Sequence, residues 1–379
     1  MLDVKDFFDS LRDQGVINFS GVPDSLLKNI CAYISDNTAP DEHLITANEG
    51  SAVSLAVGQY IATGKPSLVY MQNSGFGNAI NPLLSLADAK VYGIPMLVMI
   101  GWRGEPGVKD EPQHIKQGEV MQPLLDACNL PTIIIHAETK NIEEVLQSAV
   151  KLTIANNQPV VLLVKKDSFG PYKLKNAIPD IAESSREDAI KMIVEASEVD
   201  DVFVSTTGMP SRELFEIRVK NQQPHDKDFL TVGAMGHANM IALGLAQNTD
   251  RHVLCIDGDG ASIMHLGNLT STGQSGAKNL IHIILNNAAH DSVGGQPTCA
   301  HSIDLPLIAK ACGYASVKSV TKLDEIPSYI EKIKGHPGPH LLEVKIKKGS
   351  RSDLGRPTSS PIINKEALMK TLRRSDELL

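Results

Sequence analysis

Nowhere in this chain of 379 residues do eighteen apolar residues run together, the length a bilayer-spanning helix requires. No membrane-crossing helix is expected. An excess of one charge is also lacking: 36 Lys and Arg stand against 44 Asp and Glu, a net charge of −8 with no long run of either sign. Nucleic acid and anionic membrane surfaces are therefore poor partners for the chain as a whole. The N-terminus, MLDVKDFFDSLRDQG, lacks the basic and then apolar layout of a signal peptide and shows instead a helical apolar spacing at Val4, Phe7, Phe8 and Leu11. There is no CxxC. The five cysteines, Cys31, Cys128, Cys255, Cys299 and Cys312, lie scattered in mostly apolar surroundings, which suits reduced core residues of a cytoplasmic protein. A GxGxxG after an early strand is missing too, which argues against a plain nucleotide-binding Rossmann protein.

What is present is an alternation of short β-rich apolar runs with helical patterns, the signature of parallel sheets covered on both faces. Strands are expected at VINFS, LITAN, SLVYMQN, MLVMIG, TIIIH and PVVLLVK in the first half, and at DVFVSTT, DFLTV, HVLCIDG, LIHIILNN, YASVKSV and HLLEVKI in the second. The length suits two domains of about 150 to 200 residues. Between the halves lies KKDSFGPYKLKNAIPDIAESSRED, polar and turn-rich, with Pro171 and Pro179 and no clean period. It is the best linker, and it divides the chain into domains 1–178 and 179–379. The fold class is α/β, two doubly wound parallel-sheet domains with no central third domain. After the last strand, KKGSRSDLGRPTSSP reads as a solvated tail or a lid, followed by a short amphipathic helix running toward the C-terminus.

Ligands of open parallel sheets bind beyond the carboxyl ends of the strands. Gly258, Asp259 and Gly260 end one strand, and Asn286 and Asn287 end the next, with a glycine-bearing helix between. If the two strands are neighbours, a carboxylate oxygen and an amide oxygen meet at one edge, where Mg²⁺ would find the hard oxygen ligands it prefers. Backbone amides at the following helix start suit phosphate groups. Strand-to-helix turns also favour Gly, Asp and Asn, which is the plainer reading.

The GDG…NN segment resembles the diphosphate motif of the thiamine-diphosphate-dependent decarboxylase family. The resemblance implies that Asp259, Asn287 and the main-chain carbonyl of Ala289 bind the metal, here Mg²⁺, and that thiamine diphosphate is the cofactor. Ala261 stands where many relatives have Ser, a hydroxyl that Ser262 would then supply. Glu49, in LITANEGSAVSLAVGQYIATGK, follows a strand and opens an apolar helix. Seen alone it is an acid favoured by the helix macrodipole; the resemblance makes it the carboxylate that contacts the aminopyrimidine, with burial raising its pKa. In TVGAMGHANMIALGLA, Gly233 would offer its carbonyl to the 4′-amino group and Met235 would wedge between the cofactor rings, although methionine also fills cores. Thr207 and Gly208 in STTGMPSRE would touch the diphosphate, or simply start a helix. The family's cofactor bridges a pyrimidine domain of one subunit and a diphosphate domain of another, which implies a homodimer or higher homo-oligomer.

Five further stretches, SGVPDSLLKN, QNSGFGNAINPLLSLAD, GWRGEPGVKDEPQHIKQG, NNAAHDSVGGQPT and SDLGRPTSSP, resemble the two-domain branch that decarboxylates phosphonopyruvate. The resemblance implies a small 2-oxo acid bearing a phosphonate as substrate, phosphonoacetaldehyde and CO₂ as products, and a place in phosphonate biosynthesis. The sulfopyruvate branch is the alternative, and a non-catalytic subunit that binds the cofactor is a second. Donors for such a dianion are Ser25, Arg103, Lys109, His114, Lys116, His290, Arg351 and Arg356, among which the sequence does not choose; arginine suits planar oxyanions best. Asp24 resembles a catalytic acid of the family, or caps the helix SLLKNICAYI. Where relatives have a His pair this chain has Gln113 and His114, so the proton donor is Asp24, His114 or His290.

Overall fold

In the computed structural model residues 1–373 are described. They fall into two compact units, residues 1–177 together with 292–296, and residues 178–291 together with those from 297 onward.

In the first unit, strands β1 (Phe19–Gly21), β2 (His43–Ile45), β3 (Ser67–Gln72), β4 (Met96–Gly101), β5 (Thr132–Ile135) and β6 (Pro159–Val164) form one sheet. All neighbours are parallel, in the order β2-β1-β3-β4-β6-β5. Helices α1 (Val4–Asp13), α2 (Lys28–Asn37), α3 (Glu49–Thr63), α4 (Phe76–Pro82), α5 (Pro112–Ala127) and α6 (Ile142–Asn156) supply the cover. Every residue of β4 and β6 is buried, because a parallel strand between helical layers has no solvent face. The pleat sends alternate side chains to opposite faces: Leu97 and Met99 pack with Phe7, Leu11 and Ile30, whereas Val98 and Ile100 pack with Val53, Ala56 and Met121.

The second unit repeats the plan with β7 (Val202–Ser205), β8 (Asp228–Leu230), β9 (Val253–Gly258), β10 (Leu280–Asn286), β11 (Ser316–Val320) and β12 (His340–Lys345). Its helices are α7 (Arg186–Glu195), α8 (Met209–Lys220), α9 (Ala238–Ala246), α10 (Asp259–Met264), α11 (Asn268–Gln274), α12 (Leu305–Cys312), α13 (Glu325–Lys334) and α14 (Pro361–Arg373). The order β8-β7-β9-β10-β12-β11, again parallel throughout, matches that of the first sheet strand for strand. Leu254, Ile256, Ile281 and Ile283 face one core, and Val253, Cys255 and Leu280 the other. In each sheet the chain leaves the first strand toward one side and returns on the other, so a switch point opens between β1 and β3 and between β7 and β9. Such crevices are where open α/β sheets take ligands.

Each of the twelve expected runs overlaps a strand, although β1 takes only the last two residues of VINFS and β2 only the first two of LITAN. The cysteine reading needs correction: all five are free, but only Cys31 and Cys255 are buried, and Cys299 is exposed in a 3₁₀ turn. The stretch after β12, expected as a tail or a lid, is fastened to its own unit. Lys347 N–H donates to Ser184 O at 2.8 Å. Arg212 donates to Leu354 O and Gly355 O, each at 2.6 Å. In α14, Asn364 accepts from Leu230 N–H at 3.1 Å and donates to Asp228 O at 2.8 Å. The remainder of the expected C-terminal helix, 374–379, lies outside the described residues. Among the described residues no helix is long and apolar enough to cross a membrane.

Candidate active site

At the carboxyl edge of the first sheet, β2 runs into α3 through Asn48, whose side chain caps the helix by accepting from Ser51 N–H at 2.9 Å. That cap makes Glu49 the first helical residue. Its side chain is folded inward and only 4% exposed. An acid that served the helix dipole alone would stay in water. Here Oε2 accepts from Asn78 Nδ2 at 2.7 Å, and Oε1 lies so close to Gly75 that a Cβ there would stand 2.0 Å away. Burial holds the Glu49 pKa above the ordinary carboxylate range, and the Asn78 bond offsets part of that rise. Gly75 and Asn78 were not singled out in the sequence. Their signal was the glycine-rich QNSGFGNAIN, but only the packing of α4 on α3 shows what the glycine and the asparagine touch.

A second cluster stands where β1, β3 and β4 end side by side. Asp24 is fully buried; it accepts from Leu26 N–H at 3.0 Å and from Gln72 Nε2 at 2.5 Å. It does not cap α2, which begins at Lys28 with Leu27 in the cap position. Burial raises the Asp24 pKa against the lowering pull of Gln72 and of the Arg103 charge. Arg103 donates from Nη1 to Ser25 Oγ at 2.7 Å and from Nε to Asp110 Oδ2 at 2.8 Å. A Cβ at Gly101 would lie 2.1 Å from Asp24 Oδ2, so β4 must end in glycine for the carboxyl group to fit. His114, in the first turn of α5, is buried with its pKa pushed down to about 4 by burial and by Arg103. Its Nδ1 has no hydrogen-bond partner among the described residues. Lys109 and Lys116 are exposed, and Lys116 pairs with Glu119 at 3.3 Å. Ser25, Asp24 and Arg103 are thus brought together, with His114 near Arg103, and Lys116 is not.

In the second unit β9 and β10 are hydrogen-bonded neighbours, which puts Asp259 and Asn287 at one edge. Asp259 is 3% exposed and accepts from Thr298 Oγ1 at 2.5 Å. Burial pushes its pKa up to about 6. Asn287 Oδ1 accepts from Ala289 N–H at 3.0 Å, across a kink at Ala288 with φ of 56°. Gly260, Met235 and His290 converge: a Cβ on Gly260 would stand 3.4 Å from His290 Nδ1 and 3.5 Å from Met235 Cε. Burial lowers the His290 pKa to about 4. Thr207 and Gly208 follow β7, the neighbour of β9, with Gly208 in the left-handed region at φ of 91°. Gly233 is partly exposed in the turn before Met235. Ala261 is buried in α10, and the hydroxyl of Ser262 donates to Asp257 at 2.9 Å. Arg351 is held by Glu187, Glu216 and Asp353, so its charge is already met, and Arg356 lies exposed beyond it. Thr298 was missed in the sequence, because it returns to the site from a loop 39 residues after Asp259.

Two family models match the chain: the N-terminal TPP binding domain of thiamine pyrophosphate enzymes over residues 4–130, and the C-terminal TPP binding domain over residues 207–344. The phosphonopyruvate decarboxylase of Streptomyces viridochromogenes is 34% identical over 377 residues, covering 95% of this chain and 92% of that one. The chain belongs to the thiamine pyrophosphate enzyme family. A second relative of this thiamine pyrophosphate enzyme, the phosphonopyruvate decarboxylase of Streptomyces hygroscopicus, is 32% identical, with 95% and 92% of the two chains covered. The sulfopyruvate decarboxylase of Methanosarcina acetivorans is 29% identical, with 92% of each covered. The cofactor of this thiamine pyrophosphate enzyme is thiamine diphosphate, the same group under its other name. The edge built by β9 and β10 fits it: a buried carboxylate and a buried amide supply hard oxygens, and the missing Cβ of Gly260 leaves room between Met235 and His290.

Proposed function

We propose that the protein decarboxylates 3-phosphonopyruvate to phosphonoacetaldehyde and CO₂, using thiamine diphosphate and Mg²⁺, in phosphonate biosynthesis. The observation that carries this is whole-length similarity, both units included, to two phosphonopyruvate decarboxylases. Bound thiamine diphosphate supplies the electron sink that lets CO₂ leave.

The chain's residues then divide the work. Asp259 and Asn287, with the Ala289 carbonyl, would hold Mg²⁺; Thr207, Gly208, Gly258, Gly260 and Ala261 would approach the diphosphate, whereas the Ser262 hydroxyl is committed to Asp257; Gly233 and Met235 would shape the cofactor. Glu49 holds and moves a proton at Oε1, the oxygen that Asn78 leaves free. Release of the aldehyde needs a proton on carbon in place of the lost CO₂. Asp24 is the better donor, because its pKa is raised whereas His114 and His290 stand near 4 and are neutral at pH 7. Arg103 and Ser25 are the donors beside Asp24; the Arg103 charge is already shared with Asp110, so the case for them at the anionic end of the substrate rests on their place beside Asp24. Lys116, exposed on α5, is not brought to this cluster, and Arg351 and Arg356 lie in the stretch after β12; all three are weaker candidates.

The second reading, sulfopyruvate as substrate, is favoured by the 29% identical relative of full length. Comparing kcat/KM for phosphonopyruvate, sulfopyruvate and pyruvate, with thiamine diphosphate and Mg²⁺ present, separates the two. A preference for phosphonopyruvate of more than about tenfold, roughly 1.4 kcal/mol of transition-state discrimination, is expected. A preference for sulfopyruvate would overturn the substrate, and no turnover at all would leave a non-catalytic cofactor-binding subunit.

A further inference from the structure

Beneath the β9–α10 corner lies a buried polar network that the catalytic reading does not use. Asp257, 1% exposed, accepts from Gly258 N–H at 2.9 Å through Oδ1. Its Oδ2 accepts from Ser262 Oγ at 2.9 Å and from His282 Nε2 at 3.2 Å. His282, also 1% exposed, projects from β10, and its Nδ1 faces the Tyr314 hydroxyl at 3.3 Å. Asp257, which can only accept, requires the proton on Nε2, and Nδ1 then accepts from the Tyr314 hydroxyl. Cys255 Sγ stands in the same cluster, whose ligand atoms all lie within 4.8 Å of one another. A metal is not needed to explain the cluster, because Asp257 and both imidazole nitrogens already have complementary partners.

The connections have a direction. Gly258 and Ser262 bracket Asp259, one before it and one on the next turn of α10, and Asp257 grips both. His282 ties that carboxylate to β10, the strand that ends in Asn286 and delivers Asn287. We infer that the Asp257–His282–Tyr314 network is the positioning device for the metal site, fixing the spacing of Asp259 from Asn287 by clamping the turn between β9 and α10 to the neighbouring strand. This rests on the reading of Asp259 and Asn287 as metal ligands. The network also explains why Ser262 is no simple replacement for the hydroxyl that Ala261 lacks: its proton is committed to Asp257. Groups that orient a metal's ligands carry a large share of its affinity, and their loss costs roughly 10- to 100-fold in binding.

The test titrates Mg²⁺ into the full-length protein with saturating thiamine diphosphate, reading Kd by calorimetry, for wild type, His282→Phe and His282→Gln. Melting temperature without cofactor and kcat at saturating Mg²⁺ are measured alongside. His282→Phe is expected to raise the Mg²⁺ Kd by at least about tenfold, with a smaller fall in kcat. His282→Gln, which keeps a donor for Asp257, is expected to recover most of the affinity. If His282→Phe does not fold, Ser262→Ala removes a different donor from Asp257 and is expected to weaken Mg²⁺ in the same sense. An unchanged Kd with only a lower melting temperature makes the network plain core and overturns the inference. Wild type that binds neither Mg²⁺ nor thiamine diphosphate overturns the functional reading and the inference with it.

Discussion

Glu49 shows how a single residue acquires its chemistry from neighbours distant in the chain. Its carboxyl group is buried against Gly75 and bonded to Asn78, so burial raises its pKa while Asn78 of α4, and then its own backbone amide, hold part of that rise back. Glu49→Gln is expected to cut turnover by at least about a hundredfold, the usual worth of a positioned proton-transfer group. Mg²⁺-dependent binding of thiamine diphosphate, read as a rise in melting temperature, should persist; full activity in this variant would sink the proposed mechanism. Gly75→Ala places a Cβ at 2.0 Å from Glu49 Oε1, so either the carboxyl group or the turn must move. Lost activity together with about 1–3 kcal/mol of lost stability in urea is expected.

At the scale of elements, the contact between the end of β4 and α5 is set by two glycines. A Cβ on Gly118 would meet Gly104 O at 1.7 Å, and one on Gly104 would meet His114 O at 1.9 Å. Gly104 also sits at φ of 68°, where L side chains are strained. Trp102 closes the contact by donating from Nε1 to Gly118 O at 3.0 Å. Because backbone meets backbone, no rotamer change relieves the clash. Gly118→Ala should therefore destabilise by about 1–3 kcal/mol or more and disturb Arg103 and His114, which flank the contact. Gly58→Ala is the control: it lies inside α3 with nothing within 4 Å of an added Cβ, so a gain of about 0.5–1 kcal/mol is expected from the stiffer unfolded chain. Equal urea midpoints for the two variants would refute this account of the packing.

For the whole molecule, acid should be destabilising in a defined window. His43, bonded through Nε2 to Tyr70 OH at 2.7 Å, and His114 each have a folded-state pKa of about 4 against an ordinary value of 6.5, because burial disfavours their charged forms. Between those values the unfolded chain takes up protons that the folded chain refuses. Their contribution is thus fully present above about pH 6.5 and lost as the pH falls toward 4, up to a few kcal/mol in total. Urea unfolding from pH 7.5 to 4.5 measures the slope, which His43→Gln should reduce; an unchanged slope would remove His43 from the account. The assembly is predicted to be at least a homodimer, and a monomeric mass by light scattering in the presence of thiamine diphosphate and Mg²⁺ would contradict it.

Much of this architecture was legible because it is written in local pattern. Short, mostly apolar runs such as MLVMIG and LIHIIL between turn signals read as strands covered on both faces, and GDG and NN mark carboxyl ends whatever lies between. The pairing of β9 with β10, which puts Asp259 and Asn287 at one edge, was conditional in the sequence and is a fact of the sheet order. Residues whose roles depend on contacts between segments stayed hidden: Asn78 beneath Glu49, Thr298 on Asp259, and His282 behind Asp257. Arg351 looked like a candidate for substrate, and only its three carboxylate partners show where its charge is used. The sequence by itself determined the strands, their doubly wound class and the family, since hydrophobic period and motif spacing are properties of neighbouring residues. The tertiary structure alone decided which polar groups are buried, which are paired and which glycines carry close contacts, since burial and pairing are set by segments that meet only when the chain folds.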